Sequence, residues 1–249
     1  MKTEQIREAA EVIRNATHLT AFTGAGISVE SGIPPFRGED GIWSRYDPGV
    51  LDISRYRSYP DETWPVVNEI FYQFFAKAQP NKAHYFLAWL QQEGILKALI
   101  TQNIDNLHQD AGSTDVIEYH GNSQYLVCTY CGERRKVEEP LVTDEVPRCR
   151  NEGALMKPDF IFFGEPIPQE AARRSMAEAE KTDVMLLIGT TGEVMPASMI
   201  PKVAKSGDAT IIEVNTAETI FTQTITDLFL QGKAAAVCDQ MQQEITRLK

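Results

Sequence analysis

The sequence predicts an α/β fold in which an open parallel sheet is accompanied by a second, smaller lobe. Four short apolar runs are bounded and rich in branched residues, at positions 18–22, 95–100, 184–188 and 210–214. Such runs are typical of strands buried on both faces of a parallel sheet. Helical patterns separate several of them, as in folds that alternate strands with helices. Two stretches, 34–80 and 123–159, break this alternation and are predicted to form the second lobe.

The individual elements follow from the spacing of apolar residues. Near the start of the chain, apolar residues recur at helical spacing with charges between them and predict a helix over residues 3–16. Further helices are predicted over 83–93 and 170–181, and a short strand over 116–119. Each of the four buried strands leads into glycines, small hydroxyl residues, amides or a carboxylate. Because ligands of open α/β sheets bind at the carboxyl ends of the strands, these residues predict a nucleotide site.

Composition and charge exclude several classes of function. The 249 residues suffice for one large domain, or a large domain with a small companion. The net charge of −11 repels phosphate backbones and anionic membranes, so we expect no nucleic-acid and no membrane partner. No segment reaches the roughly 18 apolar residues of a membrane span, and residues 1–15 lack the apolar stretch of a signal peptide. We therefore expect a cytoplasmic protein, and we expect a monomer.

The first strand runs into Gly24, Ala25 and Gly26, as a strand does in a dinucleotide-binding turn. The third glycine of the G-x-G-x-x-G pattern would fall at Val29 and is missing. The two glycines would still let the backbone approach a pyrophosphate closely. For this fragment alone, a plain strand-to-loop turn is an equally good interpretation.

Polar side chains also follow two other predicted strands. Gln102, Asn103 and Asp105 come after the second strand, where amides and a carboxylate could hold a ribose and a carboxamide. For Asn103 or Asp105 taken singly, helix capping is the better interpretation. His120 follows the predicted short strand, where a neutral imidazole could take a proton near pH 7. A lone histidine is more often structural, but its position at a strand end favours a catalytic role.

Three of the four cysteines suggest a metal site. Cys128 and Cys131 have two residues between them, which is half of a zinc site, and Cys149 follows at a suitable distance. The fourth ligand is expected at position 152, where the sequence has Glu152. We predict that zinc is retained, more weakly than by four cysteines, with Glu152 as the fourth ligand. The alternative is three unliganded cysteines in a lobe held by packing alone.

Together these residues resemble the sirtuins, a family of NAD-dependent protein deacylases, over nearly the whole chain. Each motif is weak alone, but their fixed order makes the resemblance specific. The motifs are Gly24-Ala25-Gly26-Ile27-Ser28, Ser31-Gly32-Ile33-Pro34, Phe36-Arg37-Gly38, Thr101-Gln102-Asn103-Ile104-Asp105, Leu107-His108, His120-Gly121, Lys157-Pro158 and Phe163-Gly164-Glu165. The resemblance implies a Rossmann-type domain from residues 1–38, 83–122 and 157–249. It also implies a small lobe, made of a helical insertion at 39–82 and a zinc-ribbon-like module at 123–156.

The resemblance further implies a role for particular residues. NAD, consumed as a co-substrate, would contact Gly24, Ala25, Gly26, Phe36, Arg37, Gln102, Asn103, Ile104, Asp105, Gly189, Thr190, Asn215 and Cys238. An acyl-lysine protein or peptide would pair as an added strand with the segments that contain Ile161, Phe163, Gly164, Glu165 and Val194. His120 would act as general base, and Asn103 would also be catalytic. The products would be free lysine, nicotinamide and O-acyl-ADP-ribose.

Other functions are compatible with parts of this pattern. A dehydrogenase would also bind NAD, but it predicts a glycine at position 29. A mono-ADP-ribosyltransferase of the same fold and a non-catalytic NAD-binding module remain as alternatives. His120 favours deacylation, because the second stage of that reaction needs a base. The chain departs from the family pattern at Pro35, at Thr191 and at Val29, and no role is carried over to Pro35.

The helical insertion predicts which acyl group is removed. Sirtuins that prefer acidic acyl groups carry a tyrosine and, three residues later, an arginine. Tyr72 aligns with that tyrosine, but Phe75 stands at the arginine position. A buried succinyl carboxylate would be unpaired and costly there. We therefore predict acetyl, together with longer apolar acyl groups, over succinyl.

Overall fold

Nine β-strands form within the described part of the chain, and they belong to two sheets. The computed structural model describes residues 2–36, 38, 41–137 and 145–248. The strands are, in chain order, β1 (Leu19–Thr23), β2 (Leu96–Thr101), β3 (Val116–Glu118), β4 (Gly121–Cys128), β5 (Arg134–Lys136), β6 (Met156–Phe160), β7 (Val184–Ile188), β8 (Thr210–Asn215) and β9 (Leu228–Gln231). Six form a parallel sheet in the order β3-β2-β1-β7-β8-β9. The other three form an antiparallel sheet in the order β5-β4-β6.

The order of the parallel sheet creates a crevice between β1 and β7. From β1 the chain moves outward through β2 to β3, and it later returns to build β7, β8 and β9 on the other side of β1. β1 pairs in parallel with both of its neighbours, β2 and β7. This is the strand order of a Rossmann fold, in which the ligand binds where the order reverses. The predicted fold class is therefore confirmed.

Helices cover both faces of the parallel sheet. In chain order the helices are α1 (Lys2–Asn15), α2 (Ile53–Ser58), α3 (Pro60–Asn68), α4 (Lys82–Gln92), α5 (Leu107–Asp110), α6 (Gln169–Lys181), α7 (Met199–Ser206), α8 (Ile220–Thr224) and α9 (Ala234–Arg247). Helices α1, α4 and α9 pack on one face, with Leu186 and Ile188 of β7. Helices α6 and α7 pack on the other, with Met185 and Leu187. Because successive side chains of a strand point to opposite faces, a strand covered on both sides must be apolar throughout.

A separate apolar core fills the smaller lobe. Helices α2 and α3 bring Tyr56 and Trp64 into this core, together with Phe71 from the π-helical segment Glu69–Phe74 that follows them. They pack against the antiparallel sheet, where the Phe71 and Phe160 rings lie 4.8 Å apart. The Tyr56 hydroxyl donates to the carbonyl oxygen of Met156 at 2.7 Å. The helical insertion and the cysteine-containing sheet thus form one lobe, as the two interruptions in the sequence predicted.

The strands and helices predicted from periodicity are confirmed, with ends displaced by no more than one residue. The helix predicted over 3–16 is α1, and the strand predicted over 184–188 is β7. Strand β9 was not predicted. It has four residues, and only Leu230 among them is buried, so it lacks the continuous apolar run that marks the inner strands.

None of the helices in the described ranges combines the length and the apolar character that crossing a membrane would need.

Candidate active site

A cavity of about 970 Å³ opens where the strand order reverses. This volume lies near the upper end of the range for small-molecule sites. Most of the predicted site residues line it: Gly24, Ala25, Gly26, Phe36, Gln102, Asn103, Ile104, His120, Ile161, Phe163, Gly164, Glu165, Gly189, Thr190, Val194 and Asn215. Residues from the ends of five strands of the parallel sheet (β1, β2, β3, β7 and β8) and from both lobes therefore meet in one space.

The turns after β1 and β7 touch through their backbones. Gly24 N–H donates to the carbonyl oxygen of Ile188 at 3.0 Å, and Gly26 N–H donates to that of Gly189 at 2.8 Å. A Cβ atom on Gly26 would lie 2.6 Å from the Cα of Gly189. On Gly189, which has a φ of +64°, it would lie 2.3 Å from the backbone nitrogen of Ile27. Side chains are excluded at both positions, so bare backbone faces the cavity.

Amide side chains join the strand ends into a polar wall. Gln102 Nε2 donates to Thr190 Oγ1 at 3.0 Å, and Asn215 Nδ2 donates to the Thr190 carbonyl oxygen at 3.1 Å. Asn103 is buried, and its Nδ2 donates to the carbonyl oxygen of Gly24 at 3.2 Å. These bonds fix the relative positions of the turns after β1, β2, β7 and β8, which is where a nucleotide binds in such a sheet.

Asp105 lies behind this wall and does not line the cavity. Its carboxylate accepts from Ser28 Oγ at 2.6 Å and from the Leu107 backbone N–H at 3.1 Å. Ser28 Oγ accepts in turn from Asn103 Nδ2 at 3.2 Å. Burial raises the pKa of Asp105, while the hydrogen bonds from Ser28 and Leu107 oppose that rise. Asp105 therefore orients Asn103 through Ser28.

His120 has the geometry of a general base. Its Nδ1 lies 3.1 Å from the backbone carbonyl oxygen of Gln102. Because a carbonyl can only accept, Nδ1 carries the proton and the lone pair of the neutral ring is on Nε2. Burial lowers the pKa of His120, and the hydrogen bond to Gln102 opposes that shift. The ring is therefore neutral near pH 7 and can accept a proton.

An aromatic wall closes one side of the cavity. The ring of Phe36 lies 5.6 Å from that of Trp43 and 6.5 Å from that of Phe71. The Trp43 N–H donates to the Phe36 carbonyl oxygen at 3.1 Å and joins the two residues through their backbones. The wall is apolar and can keep water from a reacting centre. The predicted cofactor residue Arg37 lies outside the described residues.

The segment 160–165 forms the opposite rim. The Ile161 N–H donates to the carbonyl oxygen of His120 at 2.9 Å. Both backbone groups of Phe163 are hydrogen-bonded. The Phe163 N–H donates to the carbonyl oxygen of Leu51 at 2.7 Å, and the Phe163 carbonyl oxygen accepts from the Ile53 N–H at 3.1 Å. Gly164 follows with a φ of +91° and has no backbone hydrogen bond to another described residue. Its backbone groups are available to an added strand.

Cys238 does not line the cavity. Its side chain is fully buried within α9, in the core on one face of the sheet. The start of the helix borders the cavity instead, through Lys233 and Ala234. The Ala235 N–H donates to Glu30 at 2.7 Å and ties this helix start to the turn after β1. The residues of this helix that border the cavity therefore lie nearer its first turn than Cys238 does.

Three cysteines meet in the smaller lobe. The sulfurs of Cys128, Cys131 and Cys149 lie within 4.8 Å of one another, and those of Cys131 and Cys149 are 3.8 Å apart. Zinc–sulfur bonds of about 2.3 Å in a tetrahedron place two sulfurs about 3.8 Å apart. The three sulfurs therefore fit a zinc ion.

Neither Glu152 nor Glu133 belongs to this cluster. The Glu152 side chain is exposed, and the Glu152 backbone N–H is hydrogen-bonded to the Cys149 sulfur. The acidic side chain next to that sulfur is Glu133, which accepts from the Cys149 thiol at 3.1 Å. This bond raises the pKa of the thiol to about 11. Glu152 was predicted as a ligand from its spacing along the chain after Cys149. The turn after Cys149 instead directs the backbone of Glu152 towards the sulfur and its side chain to solvent.

Some residues that line the cavity were not predicted: Glu30, Trp43, Leu51, Thr216 and Lys233. Most of them lie on loops or at a helix start, whose approach to the strand ends is set by tertiary packing. Thr216 is different, because it directly follows β8. The rule that ligands bind at the carboxyl ends of strands would have included it.

Comparison with known proteins gives a consistent family match. The model of the Sir2 family matches residues 24–196. The chain is 42% identical to an NAD-dependent protein deacylase of Pyrococcus abyssi, over 98% of this chain and 99% of the relative. It is 43% identical to NAD-dependent protein deacylase 2 of Archaeoglobus fulgidus, over 99% of this chain and 98% of the relative.

Solved structures agree with the sequence matches. A Sir2 homologue mutant in complex with ADP-ribose superposes with a TM-score of 0.92 at 39% identity, over 97% of this chain and 96% of that one. A Sir2 homologue in complex with NAD superposes with a TM-score of 0.91 at 39% identity, over 97% of this chain and 94% of that one. A Sir2 mutant with a deacetylated peptide and 3′-O-acetyl ADP-ribose superposes with a TM-score of 0.90 at 34% identity, over 98% of both chains.

The contact between the two glycine turns can be tested with Gly189→Ala. The added Cβ would collide with the Ile27 backbone at a positive φ, so we expect the free energy of unfolding to fall by about 2 kcal/mol or more. We also expect ADP-ribose to bind at least about tenfold more weakly, because the turn must shift. Urea denaturation and titration calorimetry measure the two effects.

Gly207→Ala is the matched control for this substitution. Gly207 has a φ of −92°, and a Cβ there would approach no atom closer than 3.5 Å. Its stability should change by no more than about 0.5 kcal/mol. If Gly189→Ala behaved like this control in both measurements, the two turns would not be in the contact described.

Proposed function

The chain belongs to the Sir2 family, and we propose that it uses NAD to remove acyl groups from lysine side chains of other proteins. The acyl group would be transferred to ADP-ribose, with release of nicotinamide and free lysine. One observation carries this proposal. A single cavity combines bare glycine turns, a neutral His120 and a segment with free backbone groups. The names of the relatives and the ADP-ribose complexes of similar proteins support it.

The polar wall is the proposed site for NAD. The bare backbone at Gly24, Ala25 and Gly26 would face the pyrophosphate, since no side chain stands in front of it. Gln102 would hold the ribose next to the nicotinamide, and Asn103, oriented by Asp105 through Ser28, would hold the carboxamide. The other proposed contacts are Phe36, Arg37, Ile104, Gly189, Thr190 and Asn215. When bound, NAD supplies a ribose carbon that can exchange nicotinamide for the acyl oxygen.

The opposite rim is the proposed site for the acylated protein. A substrate strand would pair with the backbone at Gly164 on one side and with the segment around Val194 on the other. Such pairing provides affinity with little demand on side-chain sequence. Ile161, Phe163 and Glu165 would border the strand. The net charge of −11 favours segments rich in lysine.

His120 and the aromatic wall would have different roles in the reaction: His120 would accept a proton, and the wall would exclude water. An amide oxygen is a weak nucleophile, so positioning and the exclusion of water must supply much of the rate. Phe36 and Trp43 would exclude water, and Asn103 would help to position the reacting ribose. His120 would then take a proton from a ribose hydroxyl through Nε2. A mono-ADP-ribosyltransferase of the same fold would not need this second step, so His120 favours deacylation.

The three clustered cysteines are proposed to hold a structural zinc ion. Their spacing matches the edge of a zinc–thiolate tetrahedron, and Cys128 and Cys131 lie in one tight turn. Glu133 is the candidate for the fourth ligand, because its carboxylate already contacts Cys149. A reducing cytoplasm, where we expect the protein to act as a monomer, would keep the cysteines available as thiolates for the metal.

Substitution of the proposed base should abolish most turnover without unfolding the chain. We expect His120→Ala to lower kcat by about 10² to 10⁴, and His18→Ala, remote from the cavity and bonded to Glu178, to retain the parental rate. For the parental protein, activity should fall as pH drops through the pKa of His120, because the protonated ring cannot accept a proton. Burial places that pKa below the ordinary value of 6.5. Turnover by His120→Ala at the parental rate would contradict the role.

The choice of acyl group can be measured with peptides that differ only at the modified lysine. Of the described residues that line the cavity, Lys233 is the only lysine or arginine, and it lies at the start of α9. Phe75 is buried beside Phe71, with the rings 5.3 Å apart. An acidic acyl group placed beside Phe75 would therefore lack a partner there. We expect acetyl and hexanoyl peptides to react at least about tenfold faster than the succinyl peptide, and faster desuccinylation in direct competition would show this to be wrong.

Elemental analysis tests the proposed zinc ion. Protein purified without chelator should contain about one zinc ion per chain, and Cys149→Ser should lose it. Glu133→Ala should release zinc to a chelator faster than the parental protein. Glu152→Ala is the matched control and should behave as the parent, because that side chain is exposed. A folded, active protein without zinc would contradict the proposal of a zinc ion. Faster release of zinc to a chelator by Glu152→Ala, with parental release by Glu133→Ala, would show that Glu152 is the fourth ligand.

A further inference from the structure

A buried lysine lies directly beneath the proposed peptide rim. Lys157 belongs to β6, and only 6% of its surface is exposed. Its Nζ donates to the carbonyl oxygens of Pro158 at 2.9 Å and Phe160 at 2.7 Å, and it lies 3.0 Å from the Glu165 carboxylate. The same nitrogen is 4.7 Å from the centre of the Phe162 ring. Every one of these partners lies within residues 158–165.

The ion pair closes residues 157–165 into a loop. The Glu165 oxygen that meets Lys157 also accepts from the Phe162 backbone N–H at 2.8 Å. Burial lowers the pKa of Lys157, and the charge of Glu165 opposes that shift. Buried pairs are screened by salt far less than surface pairs, and loss of one partner leaves the other uncompensated. The side chain of Glu165 is thus turned towards the loop interior.

The loop connects the proposed base to the proposed peptide rim. Its Ile161 N–H is bonded to the His120 carbonyl oxygen, and its Phe163 backbone is bonded to Leu51 and Ile53 of the smaller lobe. Directly after the second anchor, Gly164 offers the free backbone groups. A change in the path of 160–165 would therefore move the peptide-binding edge relative to His120. The turns proposed for NAD, at Gly24–Gly26 and Gly189, are held by a different set of bonds.

We propose that Lys157 and Glu165 form a positioning pair that sets the conformation of residues 160–165 for binding of the acylated peptide. The inference rests on the proposed deacylase function. Neither side chain is proposed to take part in the reaction itself. Glu165 acts by holding Lys157 and the Phe162 N–H, so its role in peptide binding is to hold the conformation of the loop.

Two substitutions and one control test this pair. Lys157→Met removes the cation but keeps much of the apolar stem, and Glu165→Gln keeps an acceptor for the Phe162 N–H while removing the charge. Lys181→Met makes the same charge change in an exposed pair with Glu178, remote from the cavity. Amide hydrogen exchange reports the order of residues 160–165 without reference to activity. Binding of an acetyl-lysine peptide and of ADP-ribose is measured separately by calorimetry.

We expect Lys157→Met to raise hydrogen exchange in 160–165 by about tenfold or more and to weaken peptide binding by a similar factor. ADP-ribose affinity should stay within about twofold, and in kinetic assays the peptide KM should rise more than kcat falls. Glu165→Gln should also raise hydrogen exchange in 160–165 and weaken peptide binding, but to a smaller extent. If Lys157→Met does not fold, the result for Glu165→Gln tests the inference. Lys181→Met should match the parental protein throughout.

Two results would overturn the inference. One is parental hydrogen exchange in 160–165 in both variants. The other is an equal loss of peptide and ADP-ribose affinity, which would indicate general damage to the fold. Failure of the proposed function gives a different pattern, in which the parental protein binds no acetyl-lysine peptide while the exchange data still show whether the pair orders the loop.

Discussion

The backbone contact between the turns after β1 and β7 is the constraint on which the site depends. A parallel sheet that builds outward in both directions from β1 leaves a crevice at this point. Gly26 and Gly189 approach so closely that neither tolerates a Cβ atom. Their contact brings peptide groups, rather than side chains, to the floor of the cavity. The hydrogen bonds of Gln102, Asn103 and Asn215 then connect the remaining strand ends to this floor.

The two lobes contribute opposite properties to one cavity. The sheet and the turns after its strands provide amides, backbone groups and a neutral His120. The smaller lobe provides Trp43 and the anchors of the peptide rim, and Phe36 packs against its core. A deacylase of the Sir2 family has to hold a polar dinucleotide and keep water from a weakly nucleophilic amide, and this division meets both needs. The three cysteines lie in the smaller lobe, so a metal there would stabilise the scaffold without entering the reaction.

The sequence was sufficient for the parallel sheet, because a strand such as β7, with every residue buried, is recognisable as a continuous apolar run. It was also sufficient to place polar residues at the strand ends. It could not show which side chains turn away from the cavity. Asp105 acts through Ser28, and Glu133 reaches Cys149 because a turn brings it close. Lys157 is buried only because its own loop folds over it, whereas lysine is ordinarily exposed.

The central claim is that acyl removal and NAD consumption are one coupled reaction in this cavity. The most direct test is mass spectrometry of an acetyl-lysine peptide incubated with the protein, with and without NAD. We expect loss of the acetyl group only when NAD is present, together with nicotinamide and O-acetyl-ADP-ribose in equal amounts. Loss of acetyl without NAD, or release of nicotinamide while the peptide stays acetylated, would contradict it.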